Sequence, residues 1–404
     1  MPDTFPNCAT RPAPPRIDTL PEPGADALAH SARLQALIAG EIAAAGGQLP
    51  FDRFMELALY APGLGYYVAG ARKFGAAGDF VTAPEISPLF ARCLALQCAE
   101  LLRELGGGDV LEFGAGSGAL AADLLEALAG AGMAPAYHML ELSPDLRERQ
   151  RATLAERVPD LAARVRWLDR LPEGFRGVMV GNEVLDALPV HRFAVADGTV
   201  LEGCVVAAQE GFAEAWVAPR SAGLVDAVRA VERAVGPLAD GFRSEINLRL
   251  APWLQAVGAS LAAGAVLLVD YGYTRADYYR PELSAGTLLC HYRHRAHADP
   301  LRWPGLQDIS ASVDFSAVAL AAQAAGLALA GYTTQASFLL ATGLDRLLGA
   351  SDPEDVVRHL ALVQGAKTLT LPGEMGERFK VIGLAKGLDH AWSGFALRDL
   401  SDRL

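Results

Sequence analysis

Asp109-Val-Leu-Glu-Phe-Gly-Ala-Gly-Ser-Gly118 is the stretch whose reading decides the fold. A short apolar strand, Val110–Phe113, runs into glycines at 114, 116 and 118, and a helix is expected from Leu120 to Leu128. Glycines at such a junction permit a tight turn and a close approach of backbone to a ligand. A dinucleotide fingerprint needs two residues between its second and third glycines; here there is one. A carboxylate, Glu112, also sits at the C-terminal end of the strand, where it suits a cation better than a pyrophosphate. S-adenosylmethionine carries an ammonium and a sulfonium, which Glu112 and the loop carbonyls can hold. Glu141 ends the next strand, 23 residues after Gly118, where an acid receives ribose hydroxyls. A nicotinamide cofactor and a ligand-free Gly-rich turn are the weaker readings.

Outward from this motif the chain alternates. Tyr137–Leu142 reads as a strand, Pro144–Val158 as a helix, and Val165–Leu168 and Val178–Gly181 as strands. Such alternation predicts a parallel sheet covered by helices, with right-handed connections. A hairpin then interrupts it: Phe193–Ala196, Asp197-Gly198 and Thr199–Val206 carry the Asp-Gly turn signal. A strand near Ala213–Val217 and two helices follow. The sheet resumes at Val266–Tyr271 and closes with Phe379–Ala385, after helices near Ser316–Ala325, Phe338–Leu348 and Val356–Ala366. Upstream, helices are expected at Ala27–Ala45 and Phe51–Tyr60.

The 404 residues carry 35 basic and 47 acidic side chains, a net charge of −12. That excludes a bulk nucleic-acid binder, which needs a basic footprint. Only four residues are Lys, beside heavy Ala, Gly and Arg usage, the composition of a GC-rich bacterial genome. Five scattered Cys without a C-x-x-C pair predict a reducing, cytoplasmic setting with neither disulfide framework nor zinc site. Two uncharged runs, Leu250–Val269 and Phe315–Leu344, are long enough for a membrane span. Their Pro, Gly and Gln residues make helix–turn–strand the better reading, so no membrane insertion is expected.

A second chemical signal is Gly181-Asn-Glu-Val-Leu-Asp-Ala-Leu-Pro189, at the C-terminal end of the fourth core strand. In one helical turn, capped by Asn182, Glu183 and Asp186 would face the same side. They could grip a guanidinium or accept a proton. Ser244-Glu245-Ile-Asn247, read as the start of an apolar helix, offers Glu245 as a third carboxylate or as a simple dipole-favoured acid. His291, His294 and His297 lie among arginines in a polar stretch, 285–312. Their spacing is not that of common zinc sites, and no metal is expected.

Six motifs occur together and in order. They are Phe51–Tyr60 with Pro62-Gly-Leu-Gly-Tyr-Tyr67, Phe74-Gly-Ala-Ala-Gly-Asp-Phe-Val-Thr-Ala-Pro-Glu-Ile-Ser87, and Glu112–Gly118 with Glu141-Leu-Ser143. The others are Asn182-Glu183 with Asp186-Ala-Leu-Pro189, Asp270-Tyr-Gly-Tyr273 and Pro304-Gly-Leu-Gln-Asp-Ile309. In these the chain resembles the MidA-like family of S-adenosylmethionine-dependent methyltransferases, from about residue 46 to 386. Its mitochondrial member is a complex I assembly factor that methylates an arginine. The resemblance implies an α/β class I methyltransferase, Rossmann-like, with seven mostly parallel strands and the last antiparallel. It divides the chain into a Pro-rich arm (1–25), a helical cap with a cofactor-covering loop (26–105), a core (106–190 and 260–390) and an inserted substrate region (191–259). Gly78, Asp79, Phe80 and Thr82 would close over the cofactor. Glu112, Gly114, Gly116, Gly118, Glu141, Leu142 and Asn182 would lie beneath it. Glu183, then Asp186 and Glu245, are the catalytic candidates. The implied activity is methylation of a protein arginine, on a complex I subunit or similar protein, releasing S-adenosylhomocysteine. Methylation of a small molecule or another residue, and a non-catalytic assembly role, are the alternatives. One departure shows: Ser310-Ala-Ser312 stands where relatives usually have Thr-Ala-His, so no role of that His carries over.

Overall fold

The computed structural model describes residues 20–69, 82–388 and 391–404. The cap opens the chain with α1 (Ala25–Ala44), β1 (Leu49–Pro50), α2 (Phe51–Tyr60), α3 (Ala83–Ile86) and α4 (Pro88–Glu104). The alternating part follows as β2 (Asp109–Phe113), α5 (Ala119–Gly130), β3 (Tyr137–Leu140), α6 (Pro144–Arg157), α7 (Pro159–Ala162), β4 (Val165–Leu168) and β5 (Phe175–Asn182). The interruption comprises β6 (His191–Ala196), β7 (Thr199–Ala207), β8 (Phe212–Val217), α8 (Leu224–Val235) and β9 (Arg243–Ile246). Then come α9 (Leu250–Ser260), β10 (Leu261–Tyr273), α10 (Arg275–Tyr278), β11 (Leu289–Tyr292), β12 (Arg295–His297), β13 (Asp308–Ser310) and β14 (Val313–Asp314). The chain finishes with α11 (Phe315–Ala324), β15 (Ala328–Thr334), α12 (Gln335–Ala341), α13 (Leu344–Gly349), α14 (Val356–Thr370) and β16 (Phe379–Lys386).

The main sheet runs β15-β16-β10-β5-β2-β3-β4, with β14 on the end of β10. Strands β10, β5, β2, β3 and β4 are mutually parallel, and β16 is antiparallel to both neighbours. This is the expected seven-strand class I arrangement with an antiparallel final strand. Its central strands are apolar on both faces because helices cover both. Val178, Val180, Leu267 and Val269 pack with α4 and α5 on one side. Met179, Val266 and Leu268 pack with α9 and α11 on the other. Two glycines let the central strands meet: a Cβ on Gly177 would lie 1.9 Å from Asp109 O, and one on Gly264 would lie 1.8 Å from Gly177 O.

The second sheet, β1-β7-β6-β9 with β8 on β7, is antiparallel throughout. Its β6–β7 turn uses left-handed Asp197 and Gly198, as the Asp-Gly signal predicts. The cap shares a core with it: Leu34, Ile38, Phe54 and Leu57 pack with Val190 and Val205. Arg249 ties α2 to the segment after β9, donating to Glu56 Oε1 at 2.7 Å and Asp52 Oδ2 at 2.9 Å. Hydrogen bonds from Arg249 and then Arg53 hold the Glu56 carboxyl well below the ordinary glutamate range.

Several sequence expectations change. Ser244–Ile246 lies in strand β9, because His191–Phe193 offers it an antiparallel partner; the helix begins only at Leu250. The polar stretch 285–312 holds a three-stranded sheet, β12-β11-β13. The helix expected over Phe338–Leu348 breaks at Gly343, whose φ is 104°. Asn182 is no helix cap: it is the last residue of β5, and the chain turns rather than coils after it. The two long uncharged runs are divided as expected, into α9 and β10 and into α11, β15 and α12. Among the described residues no helix is long and apolar enough to cross a membrane. The four described cysteines are buried free thiols.

Candidate functional site

A cavity of about 460 Å³ opens at the C-terminal ends of β2, β3, β5 and β10, the edge of an open parallel sheet where ligands bind. One half is built around the Gly-rich turn. Gly114, Gly116 and Gly118 all adopt left-handed backbone, with φ of 60°, 51° and 82°. Gly114 and Gly116 line the cavity. Gly118 stands behind them as the residue before α5, packed against Gln150. Glu112 is 2% exposed, and its Oε2 accepts the Tyr137 hydroxyl at 2.7 Å. Burial pushes its carboxyl up to about 7.

Glu141 follows β3 directly. Its Oε1 accepts the Ser143 N–H at 2.9 Å and its Oε2 accepts Gln150 Nε2 at 3.1 Å. Burial raises its pKa, and these donors oppose the rise. Gln150 also donates to Gly116 O at 3.2 Å and accepts Trp167 Nε1 at 2.8 Å. It therefore couples the glycine turn to Glu141, a role that no sequence signal marked. Leu142 is 70% exposed and does not line the cavity; the chain turns at Ser143 to cap α6, which leaves Leu142 facing outward. Thr82 lines the cavity just before α3, whereas Gly78, Asp79 and Phe80 lie outside the described residues.

These residues fit S-adenosylmethionine. A buried acid stands after β3 for a ribose diol. Two glycines without side chains leave room for the ligand, and Asn182 contributes a buried Oδ1 without a hydrogen-bond partner.

The other half of the cavity is acidic. Glu183 takes a left-handed φ of 54°, a conformation that costs energy in a residue other than Gly. Asn182 Nδ2 donates to its Oε1 at 3.1 Å, and the Ala83 backbone N–H donates to its carboxylate. Burial, reinforced by Asp186, pushes its pKa up to about 8. Asp186 is held on all sides. Asp270 Oδ2 accepts the N–H groups of Leu185 and Asp186 at 2.9 and 3.2 Å. The Ala311 N–H donates to Asp186 O at 3.1 Å. Burial raises the Asp186 carboxyl to about 6 against a hydrogen bond from the Tyr271 phenol. Its Oδ1 is buried without a hydrogen-bond partner. Asp270 is pushed well above the carboxylate range by burial and by Asp186 and Glu183.

Asp308 adds a third carboxylate at the cavity wall. It is 4% exposed and accepts the Tyr67 hydroxyl at 2.7 Å. Tyr67 stacks on Tyr60, with centroids 5.6 Å apart, and Tyr60 donates to Ala187 O at 2.9 Å. Glu245 is not part of this group. It is 1% exposed in β9, its Oε2 accepts the Thr287 N–H at 2.8 Å, and Arg192 Nε lies 3.9 Å from Oε1. It lines a separate cavity between α8 and α11, where the Thr287 N–H and hydroxyl hold its carboxylate. The three histidines also part company. His291 lines the main cavity, His294 sits at the β11–β12 turn and His297 is buried. No metal-binding group occurs among the described residues.

Residues 93–333 match the protein family described as "Putative S-adenosyl-L-methionine-dependent methyltransferase". The chain is similar to a COG1565 superfamily member of Burkholderia thailandensis, crystallised with S-adenosyl-homocysteine. The identity is 47% and the TM-score 0.92, covering 96% of this chain and all of that one. It is also similar to the protein arginine methyltransferase NDUFAF7 of Mus musculus, 30% identical over 84% of this chain and 81% of that protein. The Drosophila melanogaster homologue is 28% identical over 93% of this chain and 88% of its own. With the seven-strand sheet, the glycine turn and its two acids, these findings place the chain in the MidA-like family of S-adenosylmethionine-dependent methyltransferases.

Proposed function

We propose that this methyltransferase modifies an arginine side chain of a protein. The observation that carries the reading is the convergence of Glu183, Asp186 and Asp308 on one cavity wall, next to the cofactor half. Three acids crowded out of water repel one another, and a delocalised cation with a fork of N–H donors relieves that repulsion. The stacked Tyr60 and Tyr67 give a flat wall suited to a planar cation. The arginine methyltransferases among its relatives support the same acceptor.

When bound, S-adenosylmethionine supplies an electrophilic methyl group and leaves as S-adenosylhomocysteine. Glu112, Gly114, Gly116, Glu141, Asn182 and Thr82 are the residues proposed to hold it. Glu183 and Asp308 pair with the guanidinium and concentrate its charge on the nitrogens that do not react. Asp186, which lines the cavity and whose buried Oδ1 has no hydrogen-bond partner, takes the proton that the methylated nitrogen sheds. Most of the gain then comes from orientation and placed charge. A subunit of respiratory complex I is the first acceptor to test, as the family resemblance implies.

Glu183→Gln should bind S-adenosylhomocysteine as the wild type does, by calorimetry. Methyl transfer to an arginine-bearing acceptor should fall by about 100-fold or more, the scale of losing an acid–base or charge-placing group. Transfer at the wild-type rate would refute the acidic-cage reading.

A further inference from the structure

We propose that Glu85 and Asn182 form the seat of the methyl donor's α-ammonium group. The inference rests on the donor's identity and is independent of the acceptor. Glu85 Oε2 and Asn182 Oδ1 are both buried, both lack a hydrogen-bond partner, and both residues line the main cavity. A buried acceptor left unmade costs free energy, so a pair of them in residues lining one cavity points to a donor that arrives with the ligand. The orientation of the Asn182 amide follows from its neighbour. Nδ2 donates to Glu183 Oε1, so Oδ1 is the atom left facing elsewhere.

Glu85 belongs to α3, a single turn that its surroundings hold firmly. The Ala83 N–H is bonded to Glu183, the residue after Asn182, which draws α3 onto the end of β5. From behind, α14 approaches so closely that a Cβ on Gly365 would lie 2.6 Å from Ser87 Cβ. Helix α3 also packs on α5, the helix that follows the glycine turn. Glu85 thus lines the cavity that Gly114 and Asn182 also line. Both orphaned atoms are acceptors, and one carries negative charge. An ammonium offers three donors and a positive charge. A ribose hydroxyl or a carboxylate would leave the charge of Glu85 unmatched.

The test compares S-adenosylhomocysteine with its deaminated analogue, in which hydrogen replaces the α-ammonium. Calorimetric titration of the wild type should show a preference of about tenfold or more for the amine-bearing ligand, the scale of a charged hydrogen bond. In Glu85→Gln that preference should shrink to within about threefold, while affinity for the analogue stays at the wild-type value. The unchanged analogue affinity, with an unchanged apo melting temperature, shows that the variant is folded. A preference as large in Glu85→Gln as in the wild type would overturn the proposal. So would an equal loss of affinity for both ligands. A wild type that binds neither ligand would sink the cofactor reading along with it.

Discussion

Glu183 joins two costs in one residue, a left-handed backbone and a buried carboxyl. A carboxyl held above its unfolded value keeps its proton more tightly in the folded chain. Folding is therefore penalised increasingly as pH rises from the ordinary glutamate range through about 8. Glu183→Gln removes that penalty. Its melting temperature should exceed the wild type's by roughly a few degrees at pH 8.5 and by less at pH 5. Equal melting curves at both values would contradict the assigned burial. Tyr271→Phe should act on Asp186: without the phenol, burial raises that carboxyl further, and the acidic limb of the methyl-transfer profile moves to higher pH. The titratable groups whose charge Asp186 feels are Glu183, Asp270, Tyr271, Tyr60 and Tyr67. An unmoved limb with a lower plateau would reduce Tyr271 to a structural role. At this scale, legibility followed proximity in the chain. Glu112, Gly114 and Gly116 stand in one decapeptide, and Glu141 follows at a set distance, so spacing revealed them. Asp308 comes 122 residues after Asp186 (308 − 186 = 122), and only tertiary folding brings it to the cavity. Glu245 had the right chemistry and the wrong element.

At the scale of elements, the alternating strands and helices were legible because their periodicity changes sharply at each junction. The central strands are apolar runs, and Ser143 caps the helix that follows β3 as Ser87 caps α4 ahead of β2. The small sheet β12-β11-β13 was not legible. Its strands are only three or four residues long, so no alternation can emerge. The turn after β5 was misread for a related reason. Carboxylates three apart suggest a helical face, yet Asp270 captures the N–H groups a helix would use. Backbone proximity within the sheet makes a firm prediction. Gly177→Ala forces a Cβ into Asp109 O, at 1.9 Å, from a φ of 150°. It should destabilise the chain by about 3 kcal/mol or more in denaturant unfolding. A loss under about 1 kcal/mol would mean that β2 and β5 can separate there.

For the molecule as a whole, the cap, the small sheet β12-β11-β13 and the parallel core meet around one cavity. Tyr60 and Tyr67 come from the cap, Glu183 and Tyr271 from the core, and His291 and Asp308 from the small sheet. A ligand that touches several of these parts should stabilise them together. S-adenosylhomocysteine at about 100 times its dissociation constant adds about 2.7 kcal/mol, and should raise the melting temperature by a few degrees in one cooperative transition. An unshifted transition would mean that the cavity does not bind it. The acceptor half is the account's central claim. Its most direct test is transfer of a labelled methyl group from S-adenosylmethionine to proteins of a cell extract, followed by acid hydrolysis and separation of the amino acids. The account predicts label in methylarginine with the wild-type enzyme and its loss with Glu183→Gln. Label in another amino acid, label confined to small molecules, or no label would contradict it.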